Sequence, residues 1–123
     1  MNDGHPEDDS GGLYQTALDN LPHPVLIYDA EQILYVNEAA LRALGGAGAT
    51  TDLQGMGVEN FTVPDLADVN DARRSYVMDQ GVALSNLAVK IRRLDGETAA
   101  MRVDIRPITF SGRTAALATL TQR

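Results

Sequence analysis

At 123 residues, 44% apolar and 22% charged, the chain has the size and balance of one soluble globular domain with its own core. It contains no cysteine, which excludes disulfides, thiolate metal sites, cysteine nucleophiles and thiol-linked chromophores. The formal net charge of −7 is uneven, with 14 acids against 3 bases in residues 1–79 and 3 acids against 7 bases in residues 80–123. Aromatic residues are 5% and tryptophan is absent, so the bases fit a solvated sheet face rather than a nucleic-acid surface.

Residues 1–11, MNDGHPEDDSG, carry four acids, two glycines and a proline before any apolar pattern begins, and are expected to form a disordered leader. The stretch is acidic where a signal peptide is basic. No apolar run approaches the ~20 residues of a membrane span, so a cytoplasmic domain without membrane contact is expected over residues 12–123. Leu13, Tyr14, Ala17, Leu18 and Leu21 fall at helical spacing. So short a helix is marginal alone in water, so its apolar side is expected to dock, either across a homodimer interface or on its own sheet. Pro22 and Pro24 stop it. VLIYD then predicts a buried strand, DAEQ a tight connection and ILYV the returning strand. Asn37 follows as an N-cap, because its amide oxygen can accept from a free N–H of the next helical turn. EAALRAL supplies strong helix formers, and Gly45 and Gly46 end the helix. The glycine-rich GGAGATTDLQGMG predicts a mobile connection with a short turn; it follows a helix and lacks the GK[ST] ending of a phosphate loop.

TVPD predicts a second helix start, with Thr62 as cap, Pro64 in the first turn and Asp65 three residues after the cap. The helix is expected from about Pro64 to Asp79 with Leu66, Val69, Ala72, Tyr76 and Val77 inward, ending at Gly81. The period then changes to two. LAVKI and MRVDIRP alternate apolar and polar residues around Asp95-Gly96, a hairpin signal because both residues tolerate positive φ. A turn at Ser111-Gly112 leads to RTAALATLTQ, apolar on both sides and so expected to be covered on both faces. These elements predict an α+β fold, a five-stranded antiparallel sheet with helices on one face and an N-terminal flanking helix.

The order and several strings resemble the PAS domain family over about residues 13–122. A first strand ends on Asp29 in VLIYD, and a second ends on Asn37 before a helix in ILYVNEAALRAL. VPDLADVN opens the later helix, DQG closes it, and Asp95 and Gly96 make the hairpin in IRRLDGE. The family's usual closing D-I-T-like tripeptide is Thr119, Leu120, Thr121 here, without the acid. The resemblance implies helices folded over one face of a curved sheet around a small pocket. It also implies a sensory or signalling module, usually fused to a histidine kinase, cyclase or transcription regulator. The sequence ends directly after the last strand, so a sensor piece covalently linked to an output domain is expected, active as a homodimer.

The residues then limit what such a pocket could hold. Covalent flavin adducts and thioester-linked cinnamate need a cysteine that is absent. Haem sensors of the family need an axial ligand on the helix after Pro64, where there is no histidine and Met78 is the sole alternative. His5 and His23 are expected to face solvent. Asp65, Asp68 and Asp71 drift around a helix, without calcium-loop spacing, and favour its N-terminal end. No cofactor and no metal site is therefore expected. Non-covalent flavin is left open by the sequence without any positive sign, and what remains is a pocket for a small metabolite, or one filled by side chains in a pure interaction domain. The candidate lining is Ile27, Val36, Leu44, Phe61, Val69, Tyr76, Leu87, Val89 and Met101, with Tyr76 and Asn86 as the polar groups that would orient a ligand. A third reading, a small isomerase-type enzyme, needs a buried carboxylate beside a hydroxyl, and Asp29 or Asp104 with a tyrosine is the best pairing the sequence offers.

Overall fold

The structure, a computed structural model, describes residues 19–122. The leader and Leu13, Tyr14, Ala17 and Leu18 of the expected N-terminal helix lie outside these residues, while Leu21 is exposed. Five strands form one antiparallel sheet: β1 (Val25–Tyr28), β2 (Ile33–Val36), β3 (Leu84–Arg92), β4 (Thr98–Phe110) and β5 (Arg113–Gln122), in the order β2-β1-β5-β4-β3. Between β2 and β3 run the helices α1 (Glu38–Ala43) and α2 (Ala67–Gln80), with three short 3-10 turns at Thr50–Asp52, Val58–Phe61 and Pro64–Leu66.

The period of two sorts the side chains. Leu26 and Tyr28 of β1 pair with Ala118 and Ala116 of β5 and face the helices, joined by Met101, Val103 and Ile105 of β4. Val36 of β2 lies on the same sheet face, and Leu41, Leu44, Leu53, Phe61 and Val77 close this core from above. Full burial of such side chains stabilises by about 1.5–3 kcal/mol each. Val25, Ile27, Tyr35, Phe110 and Ala115 form a second buried cluster on the opposite face. The two-sided apolar character of β5 is thereby explained: as a central strand between β1 and β4, it has Ala115 and Ala116, one on each face, fully buried.

Asn37 does more than cap. Its backbone is extended (φ −92°, ψ 174°), and its Oδ1 accepts both from the Ala40 N–H at 2.9 Å and from the Val25 N–H at 3.0 Å. Its Nδ2 donates to the His23 carbonyl at 2.9 Å, so one fully buried amide joins the start of β1, the end of β2 and the first turn of α1. Asp29 closes the β1–β2 connection: Oδ1 accepts from the N–H groups of Glu31 (2.8 Å) and Gln32 (2.9 Å), and Oδ2 pairs with the Arg113 guanidinium.

Four local expectations are corrected. The glycine-rich stretch after α1 is docked rather than loose. Leu53 is buried, the Ile33 N–H donates to the Met56 carbonyl (2.7 Å), and the Gly55 N–H donates to the Ile33 carbonyl (2.8 Å), which satisfies the exposed edge of β2. Thr62 does not cap a helix: its hydroxyl donates to the Val58 carbonyl at 3.2 Å, Val63 precedes the Pro64 turn, and the regular helix begins at Ala67. Asp95-Gly96 is not a two-residue turn. Gly96 alone has positive φ (+91°), and Leu94, Asp95 and Gly96 form a three-residue loop closed by the Arg93 N–H on the Glu97 carbonyl (2.7 Å). Within it the Arg93 guanidinium, by hydrogen bond, holds the Asp95 carboxyl below its usual range. The two-residue turn with both φ positive is Ser111-Gly112 (+50° and +78°).

The fourth correction concerns α2. Val77 is fully buried, whereas Val69 and Tyr76, expected inward, are 46% and 51% exposed. At 3.6 residues per turn, Tyr76 stands ~100° from Val77 and nearly in line with Val69. The face that shares Val77's direction is Asn70, Arg73 and Arg74, all half-buried. Gly81 ends the helix in the left-handed conformation (φ +67°), its N–H on the Val77 carbonyl at 3.0 Å.

Candidate functional site

A cavity of about 90 Å³ lies between the helix-side face of the sheet and α2. Its apolar walls come from Leu26 and Tyr28 of β1, Val89 and Ile91 of β3, Val103 and Ile105 of β4, and Ala118 and Leu120 of β5. Val58, Phe61 and Thr62 of the 3-10 segment and Leu44 after α1 complete them, and Asn70, Arg73 and Arg74 of α2 stand over the opening. The room follows in part from residue size: the β5 partner of Leu26 at the cavity is the small Ala118. Typical ligand pockets hold ~300–1,000 Å³, so the enclosed part here suits only a small molecule.

The lining is mostly apolar, with Tyr28, Thr62, Asn70, Arg73, Arg74 and Lys90 as its polar members. Tyr28 is only 7% exposed, and its hydroxyl makes no hydrogen bond to any described residue. Burial pushes this phenol up to about 12, against the opposing pull of the Arg74 guanidinium, so it stays protonated at neutral pH and keeps an O–H to donate. Arg74 is paired with Asp71 at 3.0 Å, the arginine largely covered and the aspartate open to solvent. Arg73 forms no ion pair with any described residue. Lys90 borders the rim, but its register on Ala100 sets it out of phase with Val89 and Ile91, and it is exposed.

Of the residues proposed from sequence, Leu44, Phe61 and Val89 line this cavity. Val36 and Met101 are fully buried in the adjoining core, and Leu87 packs half-buried against it. Ile27 lies in the cluster on the other side of the sheet, one residue out of phase with Leu26 and Tyr28. Val69 and Tyr76 face solvent on α2. Asn86 is not at the cavity: with φ +58°, its N–H donates to Asp104 (2.6 Å) and its carbonyl accepts from Arg102 (3.2 Å). The carboxylate–tyrosine pairing considered for an enzyme is not assembled, since Asp29 is taken up by two N–H groups and Arg113, and Asp104 by Asn86. His23 is exposed and Met78 packs half-buried on the core. Among the described residues no group of three or more His, Asp or Glu side chains could hold a metal ion, and no helix is long and apolar enough to cross a membrane. The lining residues that sequence reasoning missed were signalled by strand alternation, which puts Leu26 with Tyr28, and Val103 and Ile105 with Met101. The arginines of α2 carried no such signal.

No curated protein sequence matches the chain. Solved structures share its fold. The PAS domain of nitrogen regulation protein NR(II) from Vibrio parahaemolyticus superposes with a TM-score of 0.72 at 20% identity, covering 90% of this chain and 98% of that one. The PAS domain of an HTR-like protein from Haloarcula marismortui gives 0.71 at 19%, covering 94% and 93%. The PAS domain, in complex with ethanol, of a LuxR-family transcriptional regulator from Burkholderia thailandensis gives 0.70 at 21%, covering 88% and 95%. The sequence model of the PAS domain matches residues 12–86, from ahead of β1 into β3, more than half of the 123 residues. That stretch contains the Asp29 turn, the Asn37 corner and the arginines over the cavity, and it places this chain in the PAS domain family of sensory and signalling modules.

Proposed function

We propose that this domain is the sensory part of a larger regulatory protein, such as a histidine kinase or a transcription regulator, and that it reports on a small molecule held between the sheet and α2. The observation that carries the reading is the cavity itself, walled mostly by apolar side chains, with a phenol and two guanidinium groups among its few polar lining groups. A few polar groups fixing orientation within an apolar wall is the usual build of a small-molecule site. The similar domain from Burkholderia thailandensis was solved with ethanol, a molecule of the size this cavity admits. In this reading the domain itself is not an enzyme. It works as a homodimer, and the change on binding is passed to a linked output domain.

Native mass spectrometry after gentle purification is expected to show a bound mass, and a small-molecule library to raise the melting temperature. Repeated absence of both would replace this reading with that of a filled core serving only protein interaction. For the dimer, light scattering should give twice the monomer mass, lost on deletion of residues 1–21. A monomeric mass in the intact chain would remove that part.

A further inference from the structure

We infer that the ligand of this cavity is a small organic anion, a carboxylate on a short apolar body, whose head meets Arg73 and the Tyr28 hydroxyl while its body lies against the sheet. The inference deepens the sensory reading above and rests on it. Two independent observations carry it. The first is the rotation of α2. A surface helix normally turns its apolar stripe inward, yet here Val69 and Tyr76 stand in solvent while Asn70, Arg73 and Arg74 border the cavity. Arg74 already has Asp71 as counter-charge, whereas Arg73 has no ion-pair partner among the described residues. The second is Tyr28, a buried O–H on the cavity wall without an acceptor among the described residues. Buried polar groups in folded proteins are nearly always hydrogen-bonded, and an exception points to a missing partner. Among the described residues both groups lack an acceptor of negative or lone-pair character, and a carboxylate supplies two such oxygens. The rest of the wall is mainly apolar (Leu26, Phe61, Val103, Leu120), so inorganic anions would leave it unfilled.

Calorimetric titration of the whole chain with butyrate and benzoate, with butan-1-ol and benzyl alcohol, and with acetate and inorganic phosphate tests this. The two acids should bind about tenfold more tightly than their alcohols, and acetate and phosphate more weakly than either acid. Added salt should weaken the acids and leave the alcohols unchanged. Arg73→Gln should bring acids to parity with alcohols, a loss of about tenfold for a half-buried charged partner. Tyr28→Phe should weaken the acids roughly three- to tenfold while leaving the melting temperature of the empty protein unchanged or higher. Equal affinity for acids and alcohols, phosphate binding as tightly as benzoate, or an Arg73→Gln variant that keeps its acid affinity would overturn the anion while leaving the sensory cavity standing. If none of the probes binds, the mass retained in native mass spectrometry decides: an anionic organic molecule supports the inference, a neutral one refutes it. No retained mass at all defeats the cavity reading and this inference together.

Discussion

Replacing Asn37 by alanine removes one acceptor used twice and one donor, all inside the core. The Ala40 N–H loses its cap, a change that costs about 1 kcal/mol in most helices. The Val25 N–H, 3.0 Å from the same oxygen, is left buried at the start of β1 without an acceptor, at about 1–3 kcal/mol. The His23 carbonyl belongs to an exposed residue and can turn to water, so its lost bond adds little. The sum is about 2–4 kcal/mol. For a domain of this size that lowers the melting temperature by roughly 8–16 °C. Urea unfolding followed by circular dichroism gives the free energy directly, with the m-value as check that the unfolded state is unchanged. Asn37→Ser, which can keep the cap but is too short to serve Val25 and His23 as well, should fall between wild type and alanine. Asn37→Asp retains the double acceptor, sets an oxygen against the His23 carbonyl and buries a charge, so its deficit should shrink as pH falls and the carboxyl becomes able to donate. An Asn37→Ala loss of 1 kcal/mol or less would refute the reasoning, because the side chain would then be an ordinary cap.

Asp29→Ala should cost more than Arg113→Ala, about 2 against about 1 kcal/mol in urea unfolding, because the aspartate also serves two backbone N–H groups while the arginine is half-exposed; equal losses would mean that the ion pair alone matters. For Tyr28 the folded state binds its proton more tightly than the unfolded chain, so stability is complete below about pH 10 and falls as pH rises toward about 12. Tyr28→Phe should flatten that alkaline loss in pH-dependent denaturation, and an unchanged slope would contradict the burial. In α2 only Val77 is fully buried, so amides over Asn70–Arg74 should exchange hydrogen faster than those of β4 and β5; equal protection would show that α2 is held by more than this one side chain.

The strands and α1 were legible because each rests on one local rule that tertiary structure did not override. Unbroken apolar runs marked VLIY and ILYV, alternation marked LAVKI and MRVDIRP, and the Asn37–Gly45 interval bounded the first helix. Turns were legible in place but not in type. Aspartate and glycine both tolerate positive φ, yet at Asp95-Gly96 only the glycine adopts it, because Leu94 joins the loop. The second hydrogen bond of Asn37, to Val25, was not legible: it joins residues twelve apart, and nothing local requires it. The docking of the glycine-rich loop was hidden for a similar reason. Leu53 and Met56 are isolated apolar residues in a flexible composition, and their anchoring depends on the open edge of β2 beside them.

The candidate site was least legible where it matters most. Helical periodicity in residues 66–77 favours the side bearing Val69, Ala72 and Tyr76, because the competing side offers two arginines, an asparagine and only one valine. That rule assumes that the inner face of a helix meets a packed core. Over α2 it meets a cavity, lined on β5 by the small Ala118, so the apolar demand falls on Val77 and the half-buried Met78 near the helix end. Local rules fail most often at functional sites, where a residue is retained for something other than folding. By that argument the outward Tyr76 and the inward Arg73 are two consequences of one rotation. The same rotation that misled a reading by periodicity brings Arg73, half-buried and without an ion-pair partner among the described residues, to the cavity whose wall also holds the buried Tyr28 phenol.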